Sequence, residues 1–197
     1  MLKEKLKNYN IILASGSPRR QQFFKDLAID FTIQLKPVKE IYPKTLKAEE
    51  ITNYLADLKS KAFTNLSDND ILITSDTIVW FDSKPLEKPK SRSEAFEMLM
   101  NMSGKQHQVY TSVCVKTSEN QFLINDCTKV ILKNYDASMI NYYLDLEDYK
   151  DKAGSYGIQN WFGMTCVDRI EGNYYNVMGL PTEKLYNLLI NLEQQVK

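Results

Sequence analysis

The stretch ILITSDTIVWF, Ile71 to Phe81, is an apolar, β-rich run interrupted by Ser75, Asp76 and Thr77. Helical patterns stand on both sides of it. Upstream, Ile51, Leu55, Leu58 and Ala62 recur at three- and four-residue steps between about Ala48 and Leu66, which marks an amphipathic helix. Downstream, Ser91 and Glu94 make a capping-box pattern ahead of Phe96, Leu99 and Met100, and Gly104 is placed to end that helix. A strand set between helices predicts an α/β protein.

Towards the amino terminus, Asn10 to Ala14 is a short apolar strand candidate, and Ser17-Pro18 supplies an N-cap with proline at the first helical position. That helix should reach about Leu27, with Phe23, Phe24 and Leu27 facing the core. Phe31 to Val38 alternates apolar and polar residues like a strand, and the EIYPK segment after it reads as a loop. Towards the carboxyl terminus, Gln108–Lys116 and Phe122–Leu132 read as a long hairpin turning at Ser118-Glu119-Asn120. Asp136 caps a helix to about Leu144, and the glycines of Asp151–Gln159 predict a loop. Cys166–Ile170 and Tyr174–Met178 read as a second hairpin, and Leu185, Leu188, Leu189 and Leu192 mark a final helix. Strands alternate with helices early and pair as hairpins later. The expected fold is therefore α/β, with a mixed, partly antiparallel sheet flanked by helices. No repeat, linker or low-complexity tract divides residues 1–197, so one domain is expected, with two lobes around a central cleft consistent with the pattern.

The 25 basic and 25 acidic side chains sum to a formal charge of zero, so the whole-protein field gives no reason to expect a nucleic-acid polymer or a membrane as partner. An anion site would have to be local. Cys114, Cys127 and Cys166 form neither a C-x-x-C pair nor a zinc-type cluster and read as reduced, buried thiols. The charged start MLKEKLKNYN and the lack of a long apolar run make a cytoplasmic protein the expectation. A homodimer is left open. With His107 the single histidine, an imidazole-rich metal site is excluded by count. Any metal would be held by carboxylates and phosphate oxygens, which selects a hard cation such as Mg2+ or Mn2+.

Four places could carry chemistry. The early amides of a helix lack intrahelical partners, so Ser15-Gly16-Ser17 ahead of Pro18 can wrap N–H groups and hydroxyls around a phosphate, with Arg19 and Arg20 as bidentate donors. A capped surface helix with exposed arginines accounts for the same residues. Ser75, Asp76 and Thr77 would each cost on the order of 1–3 kcal/mol if buried without partners, and the charge more. Asp76 thus reads either as a metal ligand or general base, or as a structural carboxylate satisfied by backbone amides. Lys88, beyond the turn at Asp82-Ser83-Lys84, is a solvated loop lysine or folds back towards Asp76. Asp151, Lys152 and Gln159 place a carboxylate, an amine and an amide in a glycine-containing loop able to approach a ligand closely. His107, beside a strand start, reads as structural or solvent-exposed, and the twelve tyrosines as core-edge residues.

ASGSPRR, SDT followed by LEKP, SG-x-x-H-x-V-x-T-x-V at Ser103 to Val113, DKAG-x-YGIQ, and NV-x-GLP at Asn176 to Pro181 follow one another over nearly the whole chain. Together they closely resemble the Maf family of nucleoside triphosphate pyrophosphatases. The resemblance implies an α/β fold with a central cleft and hydrolysis of a nucleoside triphosphate to the monophosphate and pyrophosphate with a divalent cation. The DKAG-x-YGIQ block is similar to the branch acting on dTTP and UTP, rather than the one acting on 7-methyl-GTP. By the same resemblance, Asp76 matches the proton acceptor, and Arg19, Thr77 and Gln159 match substrate-specificity positions. Ser15, Arg20, Glu40, Lys88 and Lys152 match other polar cleft positions. On this reading Asp76 and Glu40 hold the metal with phosphate oxygens, while Arg19, Arg20, Lys88 and Lys152 stabilise the pyrophosphate leaving group. Catalysis would rest on Asp76, Glu40 and Lys88. Two departures concern the fourth block: Asp148-Tyr149-Lys150 stands before it in place of E-P-x, and Asn160 follows its glutamine where glycine is usual. Two other readings stand beside this one: a nucleotide-binding regulator of cell division with little or no turnover, and a house-cleaning enzyme acting on modified pyrimidine nucleotides.

Overall fold

Strand β1 (Asn10–Leu13) pairs in parallel with β2 (Thr32–Ile33) on one side and with the start of β3 (Asp70–Phe81) on the other, Leu13 lying opposite Ile33 and Ile73. Parallel neighbours need crossovers, and α2 (Pro18–Asp26) and α3 (Glu49–Lys61) supply them. Ile11, Leu13, Ile71, Leu72 and Ile73 are buried, as expected where a parallel sheet is covered on both faces. This is a computed structural model, and it describes residues 2–192. The remaining elements are α1 (Leu2–Leu6), β4 (Lys84–Leu86), α4 (Arg92–Met102), β5 (Gln106–Lys116), β6 (Gln121–Leu132), α5 (Ala137–Asp145), α6 (Trp161–Cys166), β7 (Val167–Glu171), α7 (Tyr174–Val177) and α8 (Thr182–Ile190). The strands hydrogen-bond in the order β2-β1-β3-β5-β6-β7, with β4 on β3, and antiparallel pairing in β3/β4 and β6/β7 makes the sheet mixed as expected.

The chain forms two compact units. One comprises residues up to Asp76, Thr111–Asp126 and residues from Gly179 onward; the other comprises Thr77–Tyr110 and Cys127–Met178. In the first, Ile51, Leu55 and Ala56 of α3 are buried, and α1 lies against α8, with Lys5 Nζ donating to the Ile190 carbonyl at 2.7 Å. In the second, Leu99 and Met102 of α4 pack in one core with Ile140, Tyr143 and Leu144 of α5 and with Phe162 of α6. Burying a side chain such as Phe162 contributes about 1.5–3 kcal/mol.

Local chemistry sets the element ends. Asp82 and Ser83, both at positive φ, form the two-residue turn from β3 into β4. Ser91 Oγ accepts from Glu94 N–H at 3.1 Å, while the Glu94 carboxylate reaches Lys90 N–H at 2.7 Å, one residue earlier than in a capping box. Asp136 Oδ1 accepts from Ser138 and Met139 N–H and so starts α5.

Several expectations need correction. The strand expected over Phe31–Val38 shrinks to Thr32–Ile33; β2 has β1 as its neighbour on one side and ends the strand order, and Leu35 is 62% exposed. The helix expected to Leu66 ends at Lys61. As read from the sequence, Ser75-Asp76-Thr77 lie within one continuous strand, β3. Ser17 holds the N-cap position of α2 without a side-chain capping bond. Tyr174–Met178 does not return as a strand: Asn173 Oδ1 accepts from Tyr175 and Asn176 N–H and starts α7. Met100 of α4 is exposed, and Cys127 is an exposed thiol, unlike the buried Cys114 and Cys166.

Candidate active site

In the first unit, β1 gives way to the Ser15-Gly16-Ser17 turn, and Pro18 opens α2. Ser15 is buried, and its Oγ accepts from the Ser17 N–H at 3.3 Å and from Arg20 Nη1 at 3.5 Å. Arg20 reaches further: its Nε donates to the Gly179 carbonyl at 2.8 Å and its Nη1 to the Ser75 carbonyl at 3.0 Å. One guanidinium therefore ties together three of the sequence blocks: ASGSPRR, SDT and NV-x-GLP. Burial pushes the Arg20 pKa below its ordinary value and the charge of Asp76 opposes this, yet a guanidinium stays protonated in proteins.

Thr74 and Asp76 lie on one face of β3, the face turned to α3, where Thr74 Oγ1 donates to the Ala56 carbonyl at 2.6 Å. Asp76 is only 7% exposed, and Lys59 Nζ donates to its Oδ1 at 2.7 Å. The same ammonium lies 3.2 Å from Glu40 Oε2. Two carboxylates thus converge on one cation. Burial is the main cause that raises the Asp76 pKa above the usual carboxylate range; Lys59 and Arg20 pull it back, and Glu40 adds to the rise. Lys59 did not figure among the sequence candidates. Its signal was its spacing: it stands four residues after Leu55 and eight after Ile51, which places a lysine on the buried side of α3.

The second unit holds Thr77, Lys88, Lys152 and Gln159, and the first holds Ser15, Arg19, Arg20, Glu40 and Asp76. The cation that reaches Asp76 is Lys59, while Lys88 is exposed. Lys152 is 6% exposed, and its Nζ donates to the Asp148 carbonyl at 2.5 Å, to Asp148 Oδ1 at 3.0 Å and to Asp151 Oδ1 at 2.7 Å. Asn160 Nδ2 donates to Asp148 Oδ2. The two departures from the family pattern are therefore partners of each other, and Asp148 serves both Lys152 and Asn160. Gly154 N–H donates to the Glu87 carbonyl at 3.2 Å, which joins the LEKP and DKAG blocks. The buried Asn176 Nδ2 donates to the Val109 carbonyl and to Thr128 Oγ1, both at 3.0 Å.

Among the described residues no group of three or more His, Cys, Asp or Glu is placed to hold a metal ion. Asp76 and Glu40, converging on the Lys59 ammonium, form a pair of hard oxygen donors on a positive centre. Two carboxylates plus substrate phosphates make a donor set suited to magnesium or manganese, so these residues fit a cation that arrives with a triphosphate.

The Maf-like protein family matches residues 10–192. A dTTP/UTP pyrophosphatase of Flavobacterium johnsoniae is 59% identical over 98% of this chain and 100% of its own length. One of Flavobacterium psychrophilum is 52% identical over 97% of this chain and 98% of its own. Among solved structures, a HAM1 protein from Coxiella burnetii shares the fold with a TM-score of 0.51 at 14% identity, over 93% of this chain and 99% of that one. No helix among the described residues is long and apolar enough to cross a membrane. With a family match that spans both compact units and relatives alike over nearly their full length, the chain belongs to the Maf family.

Proposed function

We propose that this protein hydrolyses dTTP and UTP to the monophosphate and pyrophosphate. The observation that carries the reading is the buried Asp76, held by Lys59 beside Glu40, on the strand that Arg20 fastens to the ASGSPRR turn. In the reaction a water oxygen bonds to the α-phosphorus, the bond from that phosphorus to the α,β-bridging oxygen breaks, and pyrophosphate leaves. The water proton goes to the Asp76 carboxylate, whose Oδ1 is engaged by Lys59. A carboxylate whose pKa is raised by burial is a stronger base than one at the ordinary value, which favours its taking the water proton. The turn amides of Ser15–Ser17 with Arg19 bind phosphate oxygens, and Arg20 holds the turn and β3 in register. A divalent cation, Mg2+ or Mn2+, would be held by Asp76 and Glu40 with phosphate oxygens; when bound it neutralises charge and makes water more acidic. Lys88 adds charge for the leaving group, Lys152 would do so on exchanging its Asp148 and Asp151 partners for phosphate oxygens, and Thr77 and Gln159 select the base.

Uracil and thymine present acceptor, donor, acceptor along O2, N3–H and O4, and cytosine inverts the last two. A fixed amide and hydroxyl would leave unpaired groups against cytosine, a discrimination that can reach about 10⁴. Cys114, Cys127 and Cys166 are thiols, which supports a reducing, cytoplasmic setting. The test is pyrophosphate release over a panel of canonical and C5-modified nucleotides with magnesium or manganese. UTP and dTTP should be turned over far faster than CTP, dATP or dGTP. No release from any nucleotide would favour a binding regulator, which needs the cations but not a water-activating carboxylate.

A further inference from the structure

The second unit buries a polar pair that the reaction above does not use. His107, at the start of β5, is 2% exposed, and its Nε2 lies 2.6 Å from the Tyr156 hydroxyl, with the two rings edge to face. Its Nδ1 is buried with no hydrogen-bond partner among the described residues. Burial lowers the His107 pKa to about 4 and raises the Tyr156 phenol above its ordinary value, so both groups are neutral at working pH. The pair then carries one N–H and one O–H proton and makes one mutual hydrogen bond.

The sequence position of Tyr156 gives the pair its meaning. It sits inside DKAGSYGIQ, after Lys152 and before Gln159. The residue before it, Ser155, has φ 67°, a left-handed backbone that non-glycine residues rarely adopt, and it follows Gly154 at φ 69°. Such conformations persist where the surroundings over-determine them. Two anchors flank the strained pair: Gly154 N–H on the Glu87 carbonyl, and the Tyr156 hydroxyl on His107 with its ring against Phe162 at 5.0 Å. Beyond them, Gly157 leaves room for the Lys152 side chain, since a Cβ there would come within 2.8 Å of Lys152 Cε. The backbone shape at Tyr156 therefore sets how Lys152 packs and where Gln159 begins.

We infer that His107 is a positioning residue: through its hydrogen bond to Tyr156 it fixes the loop that presents Lys152 and Gln159, and so acts on pyrimidine selection without touching substrate. This rests on the proposed reading of the activity.

Steady-state kinetics with UTP and CTP on Tyr156→Phe, His107→Leu, the double variant and His107→Gln test it. Tyr156→Phe and His107→Leu should each raise KM for UTP about 5- to 10-fold with kcat within about threefold, and lower the UTP-over-CTP preference by a similar factor. The double variant should be no worse than either single one, because both remove the same bond. His107→Gln, whose side-chain amide can meet the phenol, should bring KM back to within about threefold of the parent. An unchanged KM and preference in Tyr156→Phe overturns the inference, as does additivity in the double variant or a failure of His107→Gln to recover. If His107→Leu does not fold, Tyr156→Phe, which loses one oxygen, decides alone. If the parent protein hydrolyses neither UTP nor dTTP, the proposed function fails separately. Amide exchange over 152–159 then still tests the hold on the loop: faster exchange confined to that segment in Tyr156→Phe supports it, and unchanged exchange overturns it.

Discussion

Asp76 is a carboxylate kept in the fold at a cost. Its folded pKa is raised above the ordinary 3.8, so the protonated form is favoured on folding. The stability this gives is fully present below the unfolded value and is lost as pH rises through the folded one. Once ionised, the carboxylate therefore burdens the fold. Asp76→Asn is expected to lower kcat at least about 100-fold while leaving Tm at pH 8 equal to or above that of the parent, with the difference narrowing as pH falls towards 4. Near-normal turnover would remove Asp76 from the role of base, and a clear loss of Tm at pH 8 would show that its ionised form does not burden the fold. Lys59 tunes the same group in the opposite sense. Replacing Lys59 by Met removes the charge that holds the Asp76 pKa down, so the acidic limb of the pH–rate profile should move upward. Then kcat/KM should fall most on the acidic side of the profile and recover as pH rises. A profile that drops evenly at every pH would show that Lys59 does not act through the ionisation of Asp76.

At the scale of elements, α6 is a place where one atom matters. A Cβ on Gly163 would overlap the Ile158 carbonyl, a backbone group that cannot swing aside, and Ile158 directly precedes Gln159. Gly163→Ala should destabilise the protein by about 1–3 kcal/mol and weaken the UTP-over-CTP preference; calorimetry and the two-substrate assay read both. The sequence did not announce α6. It also misdirected the reading of α7, because Tyr174, Tyr175 and Val177 favour strands in isolation while the Asn173 cap, worth only a pair of hydrogen bonds, decides for a helix. Elements with a long apolar period or a strong cap were legible: α3 by its steps of three and four, α5 by Asp136, and the β5/β6 pair around the turn that Thr117 N–H closes on the Asn120 carbonyl. Phe31–Val38 had the alternation of a strand but, among the described residues, only β1 to pair with, so alternation alone overstated it. Lys59 escaped because a charged residue on a helix reads as solvent-facing until the strand beneath it is known to carry a carboxylate.

For the whole molecule, the order of the five blocks was legible, and the bonds that join them were not. Arg20 gathers three blocks through two backbone carbonyls, and Gly154 joins two others, contacts that no spacing rule foretells because carbonyls carry no sequence identity. With a formal charge of zero, attraction for a triphosphate comes from local groups and not from the field of the protein. Binding should therefore depend on the cation that accompanies the nucleotide, since Asp76 and Glu40 would otherwise repel its phosphates. An analogue with a methylene in place of the α,β-bridging oxygen cannot be cleaved there, so it reports binding without turnover. At about 100 times its Kd such a ligand stabilises the folded state by about 2.7 kcal/mol, which for a chain of this size is a Tm rise of about 5–11 °C. The α,β-methylene analogue of UTP with manganese should produce that rise, the analogue with EDTA a much smaller one, and the CTP counterpart with manganese less than the UTP form. Equal shifts with and without the cation would mean that Asp76 and Glu40 do not hold it, and equal shifts for the two bases would mean that selection is not made in the bound ground state.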